Sequence, residues 1–129
     1  MSSLNALMIA IEMATRKRDE ARQALRERQH AHDAARSQME QLDNYAREMQ
    51  QRWGASEGAA MKPEVMFHHG QFMDRLQHAI NLQTKVMADQ AIRLEAAQKA
   101  LMATELRLSS LNKVVETRRR DIALAQMRR

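Results

Sequence analysis

The chain has 129 residues, with 21 Lys and Arg against 16 Asp and Glu for a net charge of +5; it carries 11 Met but only 3 Gly, 1 Pro, 1 Trp, 1 Tyr, 2 Phe and no Cys. That length bounds it to one domain. So few turn formers disfavour a multi-strand fold, so few aromatics disfavour a thick core with a deep cleft, and the missing Cys excludes disulfides and thiolate metal sites. Ala, Leu, Glu, Lys and Arg make up about half of the chain, the level of a long helix or coiled coil.

The uncharged opening, Met1 to Ile11, has no basic residue before it and runs into Glu12. It fits neither a signal peptide nor a membrane span of about 20 apolar residues, so a cytosolic protein is expected. A heptad reading from Leu4 gives the a series Leu4, Ile11, Arg18, Leu25, His32, Met39, Ala46, Trp53 and the d series Leu7, Ala14, Ala21, Arg28, Ala35, Leu42, Met49. Twelve of these fifteen are apolar. Only a supercoiled helix keeps a 3.5-residue period facing one partner, so a coiled-coil helix is expected over residues 4–53.

The segment Gly54 to Pro63 gathers two of the three glycines and the only proline, and is the one credible hinge. Pro63 suits the first turn of a new helix, where its missing N–H would be unpaired anyway, and Glu64 complements the positive end of the helix dipole. A second helix is expected over residues 64–128, with Gly70 as a soft spot rather than a stop. Its a series, Met66, Met73, Ile80, Met87, Leu94, Leu101, Leu108, Val115, Ile122, is wholly apolar. Its d series, Leu76, Gln83, Gln90, Ala97, Thr104, Leu111, Arg118, Ala125, is weaker, with six of eight residues small or polar. Such a seam holds one partner helix, and one short connection makes that partner the first helix. The expected fold is all-α, a single domain of two long helices in an antiparallel coiled-coil hairpin. At about 1.5 Å per residue the helices would be about 75 Å and 97 Å long, hence a rod.

Folding about the middle of the hinge places Leu4 opposite Leu111, so residues from 112 onward are expected to overhang. Residues 1–53 carry nine basic and eight acidic groups, 54–111 six and six, and 112–129 six and two. Four of the five net positive charges therefore sit at the end that holds Arg118, Arg119 and Arg120, which suggests a tail that meets something acidic.

Signatures of catalysis are missing: there is no phosphate-cradling glycine loop and no Ser or Cys nucleophile context, so no enzyme and no cofactor is expected. Among the five histidines, His30 and His32 point to different faces and His68 and His69 are adjacent; only Asp74 with His78 shares a face, and two ligands do not close a metal site. The C-terminal arginines suit phosphates, but no aromatic is interleaved for stacking and no base-reading Asn accompanies them, so nucleic acid is the minor alternative. The methionines fall mostly in or beside the seam, where they fill the core or grip partners.

Tyr45 and Phe72 each precede an a residue and so occupy g positions, where charged residues are usual. In an antiparallel pair g faces g, and the register makes these two aromatics neighbours on one side, with Gln38 and Ala79 similarly paired and Leu42, Met49 and Leu76 beside them. A two-helix coil cannot bury such a patch fully, and exposed apolar patches often mark partner sites; the alternative is that the aromatics only broaden the seam.

The run Gln38-Met39-Glu40-Gln41-Leu42-Asp43-Asn44-Tyr45, with Gln71-Phe72-Met73-Asp74-Arg75-Leu76-Gln77-His78-Ala79-Ile80 after the hinge, resembles the FliJ family of flagellar type III export. The likeness extends over the chain as architecture and over about 45 residues as pattern. It implies a two-helix coil similar to the central stalk of rotary ATPases. Its implied partners are the FliI-like export ATPase ring, which takes the paired chain ends, the FlhA-like export gate protein, and export chaperones that it helps to recycle. It also implies a cytoplasmic place, peripheral to the inner-membrane export apparatus. The family's gate-binding surface falls by pattern on Gln38, Leu42, Tyr45, Met49, Phe72, Leu76, Ala79 and Gln83. In relatives a second aromatic often stands at the place of Met49, a histidine at that of Gln83, and a charged stretch after the equivalent of Arg129. The rival readings are a coiled-coil adaptor or chaperone of another secretion system and a nucleic-acid-binding coil.

Overall fold

The structure, a computed structural model, describes residues 2–56 and 62–128. These form two helices, α1 (Ser2–Ser56) and α2 (Pro63–Met127). At the start of α2, Lys62 O accepts from the amides of Val65 at 3.0 Å and Met66 at 3.2 Å, which makes Lys62 the cap, Pro63 the first helical residue and Glu64 the acidic residue of the first turn. The helix α1 runs past Trp53 and through Gly54, which adopts no positive φ. The central hinge residues, 57–61, lie outside the described residues. Gly70 sits inside α2 without interrupting it.

The described residues gather into two compact units, one of Met1–Arg28 with Leu94–Arg129 and one of Gln29–Arg93. Within each, a segment of α1 lies antiparallel to a segment of α2. The heptad seam accounts for the burial pattern: every a and d residue of α1 from Leu4 to Trp53, and of α2 from Met73 to Val115, is buried or half-buried. The buried apolar residues are Ala14, Ala35, Leu76, Leu108 and Val115, and no described side chain is wholly enclosed. Two neighbouring helices can exclude water only along one strip each. Polar seam positions thin that strip further: His32 Nδ1 and Gln90 Oε1 are buried with no hydrogen-bond partner among the described residues.

The pairing differs from the sequence expectation by about one heptad. In the terminal unit, Ser3 and Leu4 lie beside Arg118, Asp121, Ile122 and Ala125, not opposite Leu111. Val115 is only 5% exposed. The overhang expected from residue 112 is therefore absent as far as Ile122, whereas Leu124 and Met127 are exposed. Heptad packing admits registers only in steps of seven residues, so the pairing moves by a whole heptad when it moves at all. Three further seam positions prove exposed, Met66, Arg118 and, near the end of α2, Ala125. Met66, in the first turn of α2, is 54% exposed, because the covered strip begins later, where Trp53 meets His69. Arg118 is exposed because its guanidinium reaches outward across α1.

Candidate partner-binding site

In the hinge-proximal unit the g positions of α1 and α2 bring Tyr45 and Phe72 together as the sequence suggested. Their ring centroids are 5.7 Å apart at 76°, an edge-to-face pair. That contact survives the heptad shift because long aromatic side chains bridge an axial offset that short ones would not. Tyr45 remains 46% exposed and Phe72 is half-buried, so the pair neither disappears into the seam nor stands free of it.

Gln38, Gln41, Leu42, Tyr45 and Gln83 line a shallow groove of about 490 Å³ beside this pair. Leu42 contributes the apolar floor and the glutamines the polar rim. Gln41 was not among the residues expected here; it lies on the outer side of the α1 strip, and only the groove brings it in. The side chain of Gln83 crosses between the helices, where its Nε2 donates to Ala35 O at 2.8 Å and to Gln38 Oε1 at 3.3 Å. Its amide thus clamps α2 to the α1 backbone at the end of the groove. Leu76 is buried, at 7% exposure. Met49 and Ala79 are half-buried at the margins of the patch, and Gln38 is exposed.

Nearer the hinge, the indole of Trp53 stacks on the imidazole of His69, with centroids 3.6 Å apart and planes 2° from parallel. Phe67 meets His68 edge-on at 5.9 Å, and Val65, Met66 and Phe67 are all exposed. In the sequence His68 and His69 stand out only as adjacent histidines that close no metal site. Carrying the d series of α2 back from Leu76 by one heptad reaches His69 and would have found the stack.

The three arginines expected to form a basic cluster are each turned to a different neighbour. Arg118 Nη1 donates to Ser3 Oγ at 3.3 Å, Arg119 Nη2 approaches Met8 Sδ at 3.8 Å, and Arg120 Nη2 pairs with Glu116 Oε1 at 2.6 Å. These contacts are exposed, so the positive charge stays accessible while the packing of Val115 fixes the helix that carries it. A groove of about 450 Å³ opens between Ser3, Leu4, Arg118, Asp121, Ile122 and Ala125.

Among the described residues no group of three or more His, Asp or Glu could hold a metal ion, and no helix is long and apolar enough to cross a membrane. The arrangement offers recognition: an aromatic pair with a polar-rimmed groove in one unit, and a basic helix end in the other. Residues 3–129 match the family model described as FliJ, flagellar FliJ protein. No curated protein and no solved structure matches the chain.

Proposed function

The chain belongs to the FliJ family of flagellar export, and from that premise we propose that it is a non-enzymatic coupling protein joining the export ATPase to the export gate. The hinge-proximal groove, with Tyr45 and Phe72 as its aromatic anchors and Gln38, Leu42, Met49, Ala79 and Gln83 around them, takes the FlhA-like gate protein. Leu76 is the buried member of the patch. The end that carries Arg118, Arg119 and Arg120 meets acidic surface on the FliI-like ATPase ring. Release of empty export chaperones for reuse is the further duty of this coupling, which is exercised in the cytoplasm against the inner-membrane apparatus.

The observation that carries the reading is the half-exposed edge-to-face pair of Tyr45 and Phe72 beside an apolar-floored groove. An aromatic left half in water next to a concavity gains most when a partner completes its burial, and such residues anchor interfaces. The test is complementation of cells that lack this chain, with secretion of flagellar substrates as the readout. A double Tyr45→Ala and Phe72→Ala variant, present at normal abundance, leaves secretion unrestored; full restoration would remove the groove from the account.

A further inference from the structure

The two sides of the hinge-proximal unit differ in chemistry. In an antiparallel pair the g and c positions of both helices share one side, and the e and b positions the other. On the g and c side, between residues 31 and 45, α1 presents Ala31, Ala34, Gln38, Gln41 and Tyr45. Between residues 72 and 86, α2 presents Phe72, Arg75, Ala79, Leu82 and Val86 there, so Arg75 is the single charge. Over the same spans the e and b side carries Asp33, Arg36, Glu40, Asp43 and Asp74. The solvent side of an amphipathic helix is ordinarily charged, and here only one of the two is.

The uncharged side continues past the groove beside Tyr45. Leu82 is 50% and Val86 43% exposed, and both stand outside the residues that line the groove. They flank Gln83, whose Nε2 donates to Gln38 Oε1 at the end of that groove. The strip closes one heptad later, where Arg93 Nε donates to Asp89 Oδ2 at 2.8 Å at the next c and g positions. From Phe72 to Val86 it runs about 21 Å along α2 and is about 10 Å wide, or about 200 Å². A second copy laid on it would bury far less than the roughly 800 Å² per partner of a stable dimer, so the strip needs an occupant that is already held beside it. Continuity with the groove supplies one. We propose that the gate protein, seated on Tyr45 and Phe72, extends along this strip with an amphipathic α-helix whose contact side carries no charge: apolar side chains meet Leu82 and Val86, and amide or hydroxyl groups meet Gln38 and Gln41. This rests on the gate reading of the groove and adds Leu82 and Val86 to its footprint.

Calorimetric titration of the full chain with the cytoplasmic domain of the gate protein tests it. Leu82→Glu with Val86→Glu weakens binding by about tenfold or more, because an uncharged partner leaves both carboxylates desolvated and unpaired. Gln77→Glu with Thr84→Glu, which adds the same charge on the other side of α2, binds as the unaltered chain does, and circular dichroism shows both variants as helical as that chain. In the unaltered complex amide exchange slows over residues 79–86; unchanged exchange there overturns the proposal by itself. If the Leu82 and Val86 variant keeps full affinity while Tyr45→Ala with Phe72→Ala loses it, the strip is overturned and the groove stands. If neither variant loses affinity, both readings fall. Equal weakening by the two pairs of glutamates would reduce the effect to net charge, and a dimer of the free chain that Leu82→Glu with Val86→Glu dissolves would give the strip to a second copy; either result overturns the proposal.

Discussion

Val114 and Val115 are adjacent in sequence and differ only in what covers them, which makes them a sharp probe of the helix pairing. Val115 is 5% exposed in the terminal unit, and Val114 is 43% exposed on the outer side of α2. Replacing Val115 by Ala removes about two buried carbon groups, worth ~0.8 kcal/mol each by area, and leaves a small void. Collapse of a narrow seam limits the void term, and the better helix propensity of Ala returns about 0.5 kcal/mol, so the net loss is about 1.5 kcal/mol. At Val114 roughly half of the transfer term is already absent in the folded state, and the propensity gain cancels the rest to about zero. Urea denaturation followed by far-UV circular dichroism, with amide exchange over residues 108–122, reads both. Equal effects at the two positions would mean that this stretch of α2 is not packed on α1, and the observed pairing would have to be given up.

Other consequences follow from the same contacts. Gly70 is helical, and a Cβ built there meets nothing within 4 Å, so Gly70→Ala should raise stability by about 1 kcal/mol in the same denaturation assay. Gln83→Ala removes the amide that joins the helices through Ala35 O and should cost about 1 kcal/mol, with exchange accelerated around Ala35 and Gln83. A double-mutant cycle on Trp53 and His69, each changed to Ala, should return a coupling of about 1 kcal/mol for the stacked pair; additive effects would contradict the stack.

Much of this molecule is visible in its sequence because a seven-residue repeat states directly which strip of a helix is covered. Leu4 through Trp53 and Met73 through Val115 obey that repeat, and the proline at the head of α2 with Glu64 behind it marks the second helix start. The pairing between strips is less visible: every heptad looks like the next, so the pattern permits registers seven residues apart and does not choose among them. That is why Leu4 was expected at Leu111 and is found near Ile122, and why the arginine end was expected to project unsupported although Val115 is buried. Tyr45 and Phe72 were legible because aromatics at positions reserved for charge stand out from the pattern. Gln83 was legible as a member of the patch but not as a clamp, since a side chain that bonds to a backbone carbonyl on another helix leaves no mark in the spacing of residues.

The central claim is that one end of this coil serves the gate and the other the ATPase. Calorimetric titration of the purified chain with the cytoplasmic domain of the gate protein, and separately with the ATPase, tests it most directly, using a Tyr45→Ala and Phe72→Ala variant and an Arg118→Glu, Arg119→Glu and Arg120→Glu variant. Loss of the aromatic pair should cost about 2 kcal/mol or more in gate binding and leave ATPase binding unchanged. The charge reversal should do the opposite, with an ATPase affinity in the unaltered chain that falls as salt is raised. If both variants bind both partners as the unaltered chain does, or if the two substitutions affect the same partner, the division of labour between the two ends is contradicted.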